Sequence, residues 1–291
     1  MALPLIVGVD GSQSGLQAVD WAVDEAARHG LPLRLVNASL WERYEGAALA
    51  ERLGRTSPES AAEQIVGTAT ERALRQDPDV AVSSAILHEE ATDALLRAAE
   101  HATALVTGQH GRGPVTELLL GSVSLALTAR APCPVIVVRG TEESREGTHG
   151  RVLLGVGSAA TGASALRFAL RAAEARGCTL EAVRAWQAPA HETVDHPLLI
   201  GEPEHHFEQE ATLLLDEVLG TAAEDHPRIR VDHFAIEGPA HKVLLHRSAD
   251  ADLLVIGARH RHSHFGLQLG GVAHALLHHA ACPVAVVPLD A

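Results

Sequence analysis

LIVGVDGSQSGLQAVDWAVDEAARHGLPLRLVNASLW, residues 5–41, returns later in the chain as VLLGVGSAATGASALRFALRAAEARGCTLEAVRAWQ, residues 152–187. Gly8 then faces Gly155, and Trp21 faces Phe168. The correspondence continues: residues 102–113 and 118–139 match 251–262 and 267–288, setting Gly108 against Gly257, Gly121 against Gly270 and Cys133 against Cys282. A unit repeated once fixes the architecture, because each copy must bury its own core. The polar, glycine-containing stretch RGTEESREGTHG, residues 139–150, reads as a connector. The expected organisation is a domain over 1–140, a linker over 141–150 and a second domain over 151–291.

Within the first copy, short apolar runs alternate with longer stripes of helical spacing. The runs are Leu5–Val9, Leu33–Val36, Val80–Leu87, Ala104–Val106 and Val135–Val138. The stripes are Gly15–His29, Pro58–Arg75, Thr92–His101 and Ser122–Arg130. Runs without polar alternation suit strands covered on both faces, and strand–helix alternation implies right-handed crossovers. The fold class is therefore α/β: two tandem doubly wound parallel sheets of five strands each. Ligands of such sheets bind beyond the carboxyl ends of the strands, where strand order reverses. The loops after Val9, Val36 and Thr107 are the places to look. The last strands, Val135–Val138 and Val284–Val287, are apolar edges, expected to pair across a pseudo-twofold axis so that one chain resembles a dimer. Further homodimerisation is compatible with this.

Composition narrows the function. The balance of 23 Lys+Arg against 37 Asp+Glu gives −14, which repels nucleic acid and anionic membrane surfaces. The stretch from His262 to Leu289 lacks charged residues, yet Gly270-Gly271 and Pro283 break it into helix and strand, so no membrane span is expected. The N-terminus lacks a basic leader, and the three cysteines lack metal-ligand spacing, pointing to reduced, buried thiols in the cytoplasm. Lys242 is the sole lysine, so a nucleotide cannot be held by a lysine loop of the usual kind.

Gly108-Gln109-His110-Gly111-Arg112-Gly113-Pro114 follows the fourth strand and leads to Gly121-Ser122-Val123-Ser124 at a helix start. Glycines let backbone amides approach an anion, and serine hydroxyls add donors beside the unpaired N–H groups of the helix. The same residues would also serve a plain strand-to-helix turn with Ser122 as N-cap. Asp10, at the end of the first strand, is placed either to accept hydrogen bonds from a ribose or an adenine amine, or to cap the next helix.

With its strand-end Asp10, its Gly108-x2-Gly111-x9-Gly121-Ser122 spacing and its Ala131-Pro132-Cys133-Pro134-Val135 turn, the chain resembles the universal stress protein family in its tandem form. The resemblance implies an ATP site, with magnesium accompanying the nucleotide. Gly8, Val9 and Asp10 would flank the adenosine and Ala38 the adenine. Thr107 and Gly108 would continue the pocket, while Gly111, Gly121, Ser122, Val123 and Ser124 would hold the phosphates, with Arg112 nearby. The second copy has Gly157, His260 and Gly271 in place of Asp10, Gly111 and Ser122, so one nucleotide per chain is expected.

Fourteen of the nineteen histidines lie after residue 150, including His260-x-His262-x-His264, but no acidic or cysteine partners stand at ligand spacing. They read as a solvated loop. Glu42, Glu45, Glu51, Glu202, Glu204, Glu208 and Glu210 read as charged helical faces. No nucleophile elbow, paired carboxylates or catalytic lysine appear, so no catalytic residue is assigned. The expected function is a nucleotide-dependent stress-response or signalling module. The alternatives are a slow ATPase or nucleotidyl-transfer enzyme on the same fold, or a scaffold without ligand.

Overall fold

A computed structural model of the chain describes residues 2–38, 58–111, 120–188, 203–220, 225–258 and 269–289. The described residues fall into two compact units, up to Arg139 and from Gly140 onward.

In the first unit the order is β1 (Leu5–Gly8), α1 (Gln13–His29), β2 (Leu33–Ala38), α2 (Pro58–Gln76), β3 (Val82–Leu87), α3 (Ala91–Ala99), β4 (Ala104–Gly108), α4 (Ser122–Arg130) and β5 (Val135–Val138). Its strands run parallel in the spatial order β3-β2-β1-β4-β5, with Leu5 opposite both Leu33 and Ala104. The chain moves outward from β1 in one direction, then returns to place β4 on the other side of it. The reversal therefore lies between β1 and β4.

The runs that became β1, β4 and β5 are covered as their composition suggested, whereas β3 is half-exposed, with Ser83 and Ser84 at the surface. β4 and β5 are buried along their whole length, and Leu5, Ile6 and Val7 are at most 2% exposed. Ile6, Val36, Leu95, Leu105, Leu127 and Val135 form one cluster, so α3 and α4 cover one face of the sheet. On the other face α1 presents Ala18, Val19, Ala22, Val23 and Ala26, all fully buried. Each large side chain so enclosed contributes on the order of 2 kcal/mol relative to exposure. Ser12 caps α1 by accepting from the Gly15 amide at 3.1 Å, and Gly30 ends it in the left-handed region at φ 61°.

The second unit repeats the plan with β6 (Arg151–Gly155), α6 (Ala159–Arg176), β7 (Thr179–Trp186), α7 (Pro203–Leu219), β8 (Val231–Glu237), α8 (Ala240–Arg247), a 3₁₀ turn (Ser248–Asp250), β9 (Leu253–Ala258), α9 (Gly271–His279) and β10 (Val284–Pro288). Its parallel order is β8-β7-β6-β9-β10. The stretch read as a linker contains α5 (Glu142–Glu146), capped by Thr141 and closed by Gly147 at φ 78°. It is tied to the second unit: the Thr141 amide donates to the Ala281 carbonyl at 3.0 Å, and the His149 and Arg151 amides donate to the buried Asp252 carboxylate at 2.9 and 3.0 Å. By composition this polar, glycine-containing stretch reads as a connector. Its backbone hydrogen bonds and the fully buried Ser144 make it part of the fold.

No disulfide joins the three cysteines. Cys133 is buried, and burial pushes its thiol up to about 11, so at pH 8 it stays protonated and unreactive. Cys282 is fully buried and Cys178 partly exposed. Maleimide labelling of the native protein at pH 8 is expected to modify Cys178 first and the other two only on unfolding. Equal labelling of all three sites would contradict this packing.

Candidate functional site

The first unit opens a cavity of about 230 Å³ at the carboxyl ends of β1, β2 and β4, at the point where strand order reverses. Gly8, Val9, Asp10, Ala38, Thr107, Gly108, Gly111, Gly121, Ser122, Val123 and Ser124, the residues singled out from sequence, all line it. Residues separated by more than a hundred positions in the chain thus converge on one space.

Each part of the wall has a local cause. The Asp10 carboxylate turns back on its own loop: Oδ1 accepts from the Ser12 amide at 2.9 Å and from Ser12 Oγ at 2.6 Å. Gly11, at φ 78°, makes that turn possible. Asp10 therefore shapes the turn while Ser12 caps α1, which separates the two roles weighed for it. The turn is fastened to the glycine loop: Ser14 Oγ donates to the His110 carbonyl, and Ser12 Oγ lies 3.3 Å from the same oxygen. Gly108 is obligatory for packing, since a Cβ there would lie 2.5 Å from the Ser14 carbonyl oxygen. At Gly111 a Cβ would lie 2.8 Å from Asp10 Oδ2.

The start of α4 closes the cavity. Gly121, at φ −64° and ψ 147°, is its N-cap, so Ser122 is the first helical residue and not the cap. No side chain caps this end, which leaves the amides of the first turn as donors for an anion, reinforced by the helix dipole. The Gly121 amide itself donates to the Gln109 carbonyl at 2.8 Å. Ser124 is buried and its Oγ donates to the Gly108 carbonyl at 2.9 Å, so its hydroxyl holds the loop and its amide faces the helix end. Thr107 is buried with Oγ1 lacking a hydrogen-bond partner, an orphan that a bound molecule would satisfy.

Gly15, Val36, Ala91, Leu95 and His110 also line the cavity and were not singled out from sequence. Ala91 and Leu95 stand four apart on α3, a spacing that points them the same way once the helix start is fixed by Glu90. His110 was quoted within the loop, but its carbonyl, which receives the two serines, carries no sequence signal. Arg112, His260 and the His262–His264 run lie outside the described residues, as do Glu42, Glu45, Glu51 and Glu202.

The second unit differs at the matching place. Asn37 Nδ2 donates to the Val9 carbonyl at 2.7 Å, whereas its counterpart Arg184 donates to the carbonyls of Val156 and Gly157, at 3.2 Å for Val156. Burial pushes the Arg184 guanidinium below its usual range. Gly157 leaves no carboxylate where Asp10 stands, and Gly270 and Gly271 offer no side chain at the start of α9. Among the described residues, no three His, Cys, Asp or Glu converge as a metal centre.

The model of the universal stress protein family matches residues 1–139 and again 148–288. The chain belongs to the universal stress protein family. A universal stress protein of Mycobacterium tuberculosis is 33% identical over 97% of this chain and 96% of its own length. One from Mycolicibacterium smegmatis is 28% identical over 97% of this chain and 96% of its own. Among solved structures, a universal stress protein of Archaeoglobus fulgidus aligns with a TM-score of 0.73 at 15% identity, covering 98% of both chains, which shows the shared fold. No helix among the described residues is long and apolar enough to cross a membrane.

Proposed function

We propose that this universal stress protein binds one ATP per chain in the first-unit cleft and acts as a nucleotide-dependent stress-response or signalling module in the cytoplasm. The observation that carries the reading is the uncapped start of α4 facing a glycine loop and a strand-end aspartate across one cavity. In it the amides of Ser122, Val123 and Ser124 hold phosphate oxygens, with Gly111 and Gly121 keeping the approach clear. Asp10, Ala38 and Thr107 line the adenosine end, and Thr107 Oγ1 gains the partner it lacks. Magnesium, where present, is held mainly by the phosphates, as its preference for substrate oxygens and water allows. Among the described residues that line the cleft there is no lysine and no carboxylate pair, which favours a binder over an ATPase.

Asp10→Asn keeps the shape of the turn and removes the charge. It is expected to weaken ATP on the order of tenfold, the loss of about 1.5 kcal/mol of charge-assisted hydrogen bonding. Calorimetric titration measures it. An unchanged affinity would leave Asp10 as a turn residue only. Phosphate release from ATP and Mg²⁺, followed at several protein concentrations, separates the binding module from an enzyme. Release proportional to protein would favour the enzyme.

A further inference from the structure

A second cavity, of about 480 Å³, lies wholly within the second unit, between the end of β8 and α8. Its size falls in the range of about 300–1,000 Å³ usual for small-molecule sites. Its polar lining is Glu237, Lys242, His246, Arg247 and Asp250, and its apolar lining includes Ile236 and Val243.

The internal repeat shows what is unusual here. At the matching positions of the first unit the chain pairs its own charges: Glu89 pairs with Arg97, and the Glu90 carboxylate accepts from the amides of Thr92 and Asp93 at 2.8 and 3.2 Å. In the second unit Gly238 stands for Glu89, Pro239 for Glu90, Lys242 for Asp93 and His246 for Arg97. The ion pair and the acidic cap are both gone, and the sole lysine of the chain has been brought into the first turn of α8. A cation in that turn is unfavourable beside the positive end of the helix dipole unless an anion joins it. No carboxylate oxygen of the described residues makes an ion pair with Lys242. Arg247, by contrast, is fixed: Nη1 lies 3.0 Å from Glu181 Oε1, and its guanidinium sits 5.2 Å from the centre of the Phe234 ring.

We propose that this cavity is a binding site for a sugar phosphate. The phosphate takes the Lys242 and His246 side, where three basic side chains line the wall. The hydroxyls, which are hydrogen-bond donors, take Glu237 and Asp250, two carboxylates that repel a bare anion but accept from a polyol. Ile236 and Val243 meet the carbon skeleton. The mixed lining thus selects against inorganic phosphate, which has no skeleton and few donors, and against a neutral sugar, which leaves Lys242 unmatched.

The test is a calorimetric titration of the full chain with glucose 6-phosphate and ribose 5-phosphate, run in the presence of saturating ATP. At least one is expected to bind with one site per chain. Glucose, ribose and inorganic phosphate are each expected to bind about tenfold or more weakly, the worth of one charge-assisted contact. Lys242→Ala, at an exposed position, is expected to weaken the sugar phosphate by about the same factor, with an unchanged thermal transition. Gly121→Val is expected to leave it unaltered. Absence of binding, binding untouched by Lys242→Ala, or inorganic phosphate binding as tightly as the sugar phosphate would each overturn the proposal.

Discussion

Gly121→Val is expected to lower affinity for ATP by roughly a hundredfold or more while the protein stays folded. The backbone at this N-cap, φ −64° and ψ 147°, is one that valine adopts readily. A Cβ there would stand 3.5 Å from the Gln109 carbonyl oxygen, 3.7 Å from His110 Cα and 3.8 Å from the Gly111 amide nitrogen, all ordinary contacts. Glycine is therefore not required by the fold at this position. The added side chain would point from the start of α4 toward the glycine loop, into the gap that phosphate oxygens must enter. Displacing a phosphate from two or more charge-assisted hydrogen bonds costs about 3 kcal/mol or more, which sets the expected factor. Titration calorimetry reads the affinity and a thermal melt reads the fold. Intact binding with an intact melt would mean that the loop is only a turn.

Gly108→Ala is expected to do the opposite, damaging the fold first. Its Cβ would meet backbone, 2.5 Å from the Ser14 carbonyl oxygen and 2.9 Å from the Gly15 amide nitrogen, where no side chain can swing aside. The end of β4 and the start of α1 would have to separate. Overpacking of this kind costs about 3 kcal/mol or somewhat more, equivalent to roughly 6–12 °C in the melting temperature of a domain this size. Because the two units need not unfold together, the loss is expected in the transition reporting the first unit, followed through the buried Trp21. An unchanged transition would show that the β4–α1 contact is looser than described.

These contrasting glycines show what sequence could and could not reveal. Both stand in the same motif, and spacing alone treats them alike. Only the packing separates Gly108, which the fold needs, from Gly121, which the cavity needs. The strands were legible because burial on both faces leaves an unbroken apolar run, as in Val135–Val138. The loop glycines were legible because their spacing, Gly108-x2-Gly111-x9-Gly121, is a pattern in the sequence itself. The start of α1 came out at Gln13, not Gly15, because the Ser12 hydroxyl reaches the Gly15 amide, a cap fixed by geometry. The Asp10 bond to the Ser12 amide, the Ser124 bond to Gly108 and the serine contacts with His110 were not legible. Each depends on a hydrogen bond to a backbone atom, and backbone atoms carry no signature in the sequence. The helix at Glu142–Glu146 was hidden for a related reason: all five of its residues are polar and four are charged, and its anchorage runs through Thr141 and Asp252.

The second unit retains the sheet and loses the carboxylate. Gly157 stands where the first unit carries Asp10, and Arg184, in the place of Asn37, spans the carbonyls of Val156 and Gly157. That exchange is what limits the account to a single nucleotide, and it makes stoichiometry the decisive quantity. Titration of the full chain with ATP is predicted to give one site per chain, weakened roughly a hundredfold or more by Gly121→Val and retained in Lys242→Ala. Two equal sites, or one site that survives Gly121→Val, would contradict it.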